Sequence, residues 1–279
     1  MDKRELELVV ISDIHLGTYG CHAKELLTYL RSIDVKTLIL NGDILDVWNL
    51  KKSYFPKTHM QVIRQLLKMA EKNCMIFYIT GNHDEVLRKY SNTRLGNIML
   101  VDKLILDLGG MTTWFFHGDI FDNTTKGWAK IIAKLGGKGY DLLIVMNRTI
   151  NHILKYFGNE KVSFSKKIKS GVKQAIKWIN NFETTAAELA IEQGFHTVVC
   201  GHIHQPQNST FTNREGSVKY LNSGDWVEHC TALEYNASEW RLVYYDDLNL
   251  NPNSQVGLSV ESEIFEFNEL LILNQITKF

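Results

Sequence analysis

Three prolines in 279 residues leave no room for a proline-rich linker. Cysteine is scarce too: only four are present, and Cys21, Cys74, Cys200 and Cys230 form no C-x-x-C pair. That spacing argues against thiolate metal clusters and dithiol redox motifs. The opening MDKRELELVV has no apolar segment behind its charges, so no secretory signal is expected and the thiols are expected to stay reduced in the cytoplasm. There is no excess of basic charge, since 31 Lys and Arg balance 31 Asp and Glu. General nucleic-acid binding is therefore not expected. No stretch reaches the roughly 18 uncharged apolar residues of a membrane-spanning helix. What remains is ordinary: 44% apolar and 22% charged residues, in a chain long enough to bury a full core.

The first half alternates apolar β-rich runs with helical periods. Leu6–Ile11, Thr37–Leu40 and Met75–Ile79 read as buried strands. Between them, Ala23–Ile33 and Thr58–Ala70 repeat apolar residues at three- and four-residue spacing, which predicts amphipathic helices. Strand, helix, strand, helix, strand predicts β-α-β units, hence an α/β protein with a largely parallel sheet. Ile98–Leu108 and Thr112–Phe116, broken by Gly109-Gly110, read as a hairpin, and Glu183–Gln193 as a helix. Further strands are expected at Thr197–Cys200, Val218–Leu221, Cys230–Tyr235 and Trp240–Tyr244.

Charge separates one segment from the rest. Residues 123–182 hold twelve Lys and Arg against two acids, a net +10, so the remainder carries −10. Within it Phe164, Ile168, Val172, Ile176 and Ile179 mark an apolar helical stripe, and Lys166, Lys169, Lys173 and Lys177 a basic one. The expected organisation is an α/β core over 1–122 and 183–248, a basic helical insertion over 123–182, and a tail over 249–279. Basic and apolar faces together suit an anionic lipid surface, and a helical subdomain packed on itself is the alternative.

Five polar motifs follow apolar β runs: Asp13-x-His15, Gly42-Asp43, Gly81-Asn82-His83-Asp84, His117-Gly118-Asp119 and Gly201-His202-x-His204. Singly, each reads as a turn, a loop cap or an exposed strand end. Ligands of open α/β sheets bind outside the carboxyl ends of strands, so the five loops are expected to converge on one rim. Asp, Asn and His mix hard oxygen with imidazole nitrogen, which suits Mn²⁺, Fe, Zn²⁺ or Mg²⁺. Asp13, His15, Asp43, Asn82, His117, His202 and His204 are more ligands than one ion needs; with a bridging carboxylate, two ions fit. No Ser/His or Cys/His nucleophile pair competes with this reading.

In that order the five motifs resemble the calcineurin-like metallophosphoesterases, over about residues 6–245. The resemblance implies a four-layer α/β/β/α sandwich with a two-metal site at the sheet rim. It implies Asp13, His15, Asp43 and His204 around one ion, and Asp43 as bridge with Asn82, His117 and His202 around the other. Mn²⁺ is the expected metal, a metal-bridging hydroxide the implied nucleophile. His83 is the implied acid beside the leaving group, and Asp84 its orienting partner.

Asn222-Ser223-Gly224-Asp225-Trp226-Val227-Glu228 and the long basic insert resemble, more narrowly, the UDP-2,3-diacylglucosamine diphosphatase (LpxH-like) branch. That branch implies cleavage of the diphosphate of an acylated UDP-sugar in lipid A biosynthesis, with the insert as a lid over the acyl chains. It implies an anionic lipid-linked substrate and a peripheral position on the inner face of a membrane. Ser165, Lys166 and Lys169 are the expected lid contacts to phosphate or sugar. Asp122 and Arg88, near the rim motifs, are candidates for substrate contact or for surface ion pairs. One departure stands out: the best-studied members of the branch carry Arg where this chain has His83. The alternatives are a phosphodiesterase or phosphatase of the same fold acting on a soluble ester and, from another class, an inactive binding scaffold.

Overall fold

A computed structural model describes residues 3–49, 54–121 and 181–250. Strand β1 (Arg4–Ile11) alternates polar and apolar residues at its start and is apolar on both faces at its end, as a strand covered on both sides must be. It pairs in parallel with β2 (Ile33–Asn41), and β2 with β3 (Met75–Ile79). Helix α1 (Ala23–Ser32) connects the first pair and α2 (Lys57–Glu71) the second. The two helices bury Leu26, Leu27, Leu30, Val62, Leu66 and Met69 on one face of the sheet.

Beyond β3 come β4 (Arg94–Leu95) and β5 (Ile98–Val101), with β5 parallel to β3. The expected single hairpin arm over 98–108 is in fact two strands. Asp102 and Lys103 carry the chain from the first sheet into the second, where β6 (Leu104–Leu108) pairs with β7 (Met111–Phe115). Both halves of the run are rich in apolar residues because Met99 and Val101 of one, and Leu104, Leu106 and Leu108 of the other, help to cover the same core.

The second sheet has five strands in the order β6-β7-β8-β10-β9, with β8 (Thr197–Cys200), β9 (Gln207–Thr212) and β10 (Ser217–Asn222). The sequence reading missed β9, an edge strand whose residues alternate between half-buried and exposed and which offers little apolar signal. The hairpin of β11 (Thr231–Asn236) and β12 (Glu239–Tyr244) completes the first sheet, ordered β12-β11-β1-β2-β3-β5-β4.

The period-two alternation of strands sorts their side chains into layers. Leu8, Val10, Ile39 and Ile79 of the first sheet face Phe115, Val199 and Leu221 of the second. Val198, Cys200, Val218 and Tyr220 point the other way, onto a helix over 181–192 through Phe182, Ala186, Ala187 and Ala190. Helices, sheet, sheet, helix is the four-layer α/β/β/α order. Each fully buried side chain of the middle layer stabilises by about 1.5–3 kcal/mol, so packing between the sheets, not any loop, holds their two rims together. The expected boundary at 182/183 falls inside the 181–192 helix, since Phe182 already belongs to the core. The expected helical lid, the tail from 251 onward, Asp122, Ser165, Lys166 and Lys169 lie outside the described residues.

Candidate metal centre

All five motifs lie just past the ends of strands: Asp13 and His15 after β1, Asp43 after β2, Asn82 to Asp84 after β3, His117 after β7, and His202 and His204 after β8. Backbone bonds continue the pairing past the strand ends. The Asp13 N–H donates to Gly42 O (3.0 Å), His15 N–H to Asp43 O (2.9 Å) and Gly201 N–H to His117 O (2.9 Å). Five of these residues hold left-handed backbone, with φ of 50° at Asp13, 53° at His15, 55° at Asp43, 69° at His202 and 54° at His204. Such conformations cost on the order of 1–3 kcal/mol each outside glycine and gather where surrounding structure enforces them.

The side chains converge. Three groups, Asp13/His15/His204, His15/Asp43/His83 and Asp43/His117/His202, each bring their ligand atoms within 4.8 Å of one another. His204 Nε2 stands 3.2 Å from Asp13 Oδ1 and 3.4 Å from His15 Nε2. Asp43 Oδ2 lies 3.3 Å from His117 Nε2 and 3.9 Å from His15 Nε2. On the other side of its ring, His117 Nδ1–H donates to Asn41 O at 2.8 Å, which leaves Nε2 as the free ligand atom.

Three atoms test whether cations suit this cluster. Asp13 Oδ1, Asn82 Oδ1 and His117 Nε2 are buried and make no hydrogen bond. Asn82 Oδ1 bears the cost of about 1–3 kcal/mol of a buried polar atom left unsatisfied, while Asp13 Oδ1 and His117 Nε2 meet only other candidate ligand atoms, His204 Nε2 at 3.2 Å and Asp43 Oδ2 at 3.3 Å. Each of the three is the atom that would ligate a metal. The donor set of carboxylate, amide oxygen and imidazole suits divalent ions of the Mn²⁺, Zn²⁺ and Mg²⁺ kind. The residues therefore fit a divalent metal centre.

Charge is balanced within the cluster. Burial opposes ionisation of Asp43, yet His117, His15 and His83 hold its carboxyl well below the ordinary range. Asp13 is likewise lowered against its burial, by His204 and His117. Burial alone would lower His117, but Asp43 and Asp13 push it up to about 10. Imidazoles so dependent on carboxylates are sites where a cation competes directly with a proton.

His83 differs from its expected surroundings. Asp84, expected beside it, points elsewhere: its carboxylate accepts from Gly81 N–H (2.6 Å), Ile44 N–H (2.9 Å) and Tyr78 O–H (2.6 Å). Asp46 takes the expected place, with Oδ1 3.0 Å from His83 Nδ1 and Oδ2 3.3 Å from His15 Nδ1. Burial works against the His83 imidazolium, but Asp46, Asp43 and Asp13 raise its pKa above the ordinary histidine value. The exposed Trp48 indole lies against the His83 ring, centroids 4.5 Å apart. The missed signal was Asp46 itself, a second acid three residues after Asp43. Arg88 bonds Asp119 Oδ2 (2.8 Å) and the carbonyls of Thr80 and Gly81 (3.4 Å each), tying the Asn82 loop to the His117 loop.

Gly81 is required by space. A Cβ there would lie 2.6 Å from Asp43 N and 2.8 Å from His117 Cδ2, and would strike Asp43 Oδ1. Gly81→Ala is expected to destabilise the fold by about 1–3 kcal/mol through overpacking and to weaken cation binding. Denaturant unfolding and metal titration check both, and unchanged cation affinity would contradict the close packing of Asp43 on Gly81.

Two packed sheets whose strand ends gather histidines and carboxylates at one rim define a metal-dependent phosphoesterase or pyrophosphatase. The chain belongs to the calcineurin-like phosphoesterase family, whose sequence pattern matches residues 6–206. The chain is 23% identical over 237 residues to UDP-2,3-diacylglucosamine hydrolase of Aliivibrio fischeri (strain MJ11), covering 83% of this chain and 95% of that protein. It is 24% identical over 254 residues to the protein of the same name from Aeromonas salmonicida (strain A449), covering 88% and 96%. Among solved structures, a dimetal phosphatase from Danio rerio aligns with a TM-score of 0.43 and 10% identity, covering 85% of this chain and 95% of that one.

Proposed function

We propose that this protein hydrolyses the diphosphate of a UDP-diacylglucosamine-type lipid precursor at a dinuclear metal site. The observation that supports the chemistry is that Asp43 and His15 are each shared between neighbouring groups of candidate ligands, as two adjacent ions would require. Asp13, His15, Asp43 and His204 would hold one ion, and Asp43, Asn82, His117 and His202 the other, with Mn²⁺ as the expected metal. Two such ions supply Lewis-acid polarisation of phosphoryl oxygens and lower the pKa of a bound water.

His83 stands at the edge of the cluster, about a fifth exposed, where it can reach a departing oxygen and deliver a proton to it. Asp46 orients its ring. Asp84 acts one step further back, holding the Gly81 turn that carries Asn82 and His83.

The substrate class rests on the curated relatives, which bear that name over most of both chains, and on the +10 charge of residues 123–182. In this reading 123–182 is the lid, with Ser165, Lys166, Lys169 and Asp122 toward the substrate. The protein works at the inner face of a membrane. No helix among the described residues is long and apolar enough to cross one.

Hydrolysis of UDP-2,3-diacylglucosamine by Mn²⁺-loaded protein is the test, run beside bis-p-nitrophenyl phosphate. Activity confined to the soluble ester would reject the lipid substrate. It would favour the second reading, a phosphodiesterase or phosphatase of the same fold, for which His83 in place of the branch's Arg speaks. Lys166→Ala with Lys169→Ala is expected to raise KM for the lipid substrate several-fold and spare the small ester. Equal effects on both would mean that the insert acts only through stability.

A further inference from the structure

The loop after β10 belongs to none of the five motifs, yet it reaches the metal cluster. Asp225 is fully buried. Its Oδ1 accepts three consecutive backbone N–H groups, from Val227 (2.8 Å), Glu228 (2.5 Å) and His229 (3.0 Å). This saturates one oxygen and turns the other, Oδ2, toward two imidazoles. His229 Nδ1 lies 2.9 Å from it and His204 Nδ1 3.5 Å. The loop cannot slide away. Trp226 N–H donates to Asp13 O (3.1 Å) and Thr231 N–H to Asp225 O (3.1 Å). Gly224 has a φ of +69°, and a Cβ there would lie 2.6 Å from Pro206 Cγ.

A carboxylate oxygen can only accept, so an imidazole nitrogen facing it must carry the hydrogen. Nε2 faces a carboxylate as well, Asp13 Oδ1 at 3.2 Å, so a cation bound among Nε2, Asp13 and His15 takes the place of the Nε2 hydrogen and leaves His204 as the Nδ1–H tautomer toward Asp225. We infer that Asp225 is a positioning residue that fixes His204 in the Nδ1–H tautomer and aims its Nε2 at the cation shared with Asp13 and His15, while His229 holds the same carboxylate oxygen from the solvent side. The inference rests on the dinuclear reading above and assigns the Asn222–Glu228 stretch a task in it.

Asp225→Asn keeps the shape of the side chain, and the amide oxygen can still take the backbone N–H groups. The amide nitrogen then faces His204 and donates, which drives the histidine proton to Nε2, where the cation belongs. Carboxylate partners of ligating histidines typically contribute 10–100-fold in metal affinity. Calorimetric titration with Mn²⁺ is expected to show two ions per wild-type chain, and one of them bound roughly 10–100-fold more weakly in Asp225→Asn. In a His204→Ala background, Asp225→Asn is expected to add no further loss. Unchanged affinity, or an equal loss with and without His204, overturns the inference. A wild type that binds fewer than two ions overturns the dinuclear reading instead. Nitrogen-15 NMR of histidines in the Zn²⁺-loaded wild type needs no variant: His204 is expected as the Nδ1–H tautomer, and an Nε2–H signal also overturns the assignment.

Discussion

Asp43→Asn is expected to lose cation binding and hydrolysis together, with kcat/KM falling by about 10³-fold or more. Asp43 is the carboxylate that belongs to two of the three ligand groups. Its Oδ2 lies between His117 Nε2 at 3.3 Å and His15 Nε2 at 3.9 Å, and its Oδ1 accepts the His83 backbone N–H at 2.8 Å. Asparagine has the same shape, so the loop through Gly42 and the bond to His83 N–H can persist and the fold should survive. What disappears is the one negative charge shared by two of the ligand groups, and with it the capacity to bridge two ions in the proposed centre. Ion content per chain, measured beside kcat/KM, checks this. A variant that still binds two ions would remove Asp43 from the bridge.

His83→Ala should behave in the opposite sense: both ions retained, kcat lower by about 10²–10⁴, the range for loss of a positioned proton donor. In the proposed centre its ring belongs to neither ligand set, although its nitrogen lies within 4.8 Å of the His15 and Asp43 ligand atoms. Removing it leaves Asp46 satisfied, since Oδ1 still accepts Asn49 N–H at 3.0 Å and Oδ2 still faces His15 Nδ1 at 3.3 Å. The expected change in ion content is therefore small. Measuring both quantities on one preparation separates loss of the acid from loss of metal, and an unchanged kcat would exclude His83 from the chemistry.

Much of the fold was legible beforehand. Met75–Ile79 and Thr197–Cys200 have the bounds read from their apolar runs, and α1 and α2 differ only at their ends. The helices are strongly periodic, and the two short strands are unbroken β-branched, aromatic or apolar runs followed by turn motifs, so local pattern suffices. The errors lie where the pattern serves two purposes. Residues 98–108 read as one arm because each half is apolar for a different sheet, and β9 was missed because an edge strand buries so little. Arg88 shows the same ambiguity at a single residue. Its place near the rim suits either a substrate contact or an ion pair, and here it binds Asp119 and bridges two loops.

By itself the sequence determined which chemical groups stand at the strand ends and in what order, since each apolar run delivers its polar motif to the rim whatever the rest of the chain does. Only the tertiary structure decided which carboxylate faces which imidazole. Asp46 rather than Asp84 meets His83, and Asp225 reaches His204 from a loop outside the five motifs. The direction of a side chain depends on left-handed backbone at single residues and on loops packed together from distant parts of the chain, and neither leaves a periodic trace in sequence.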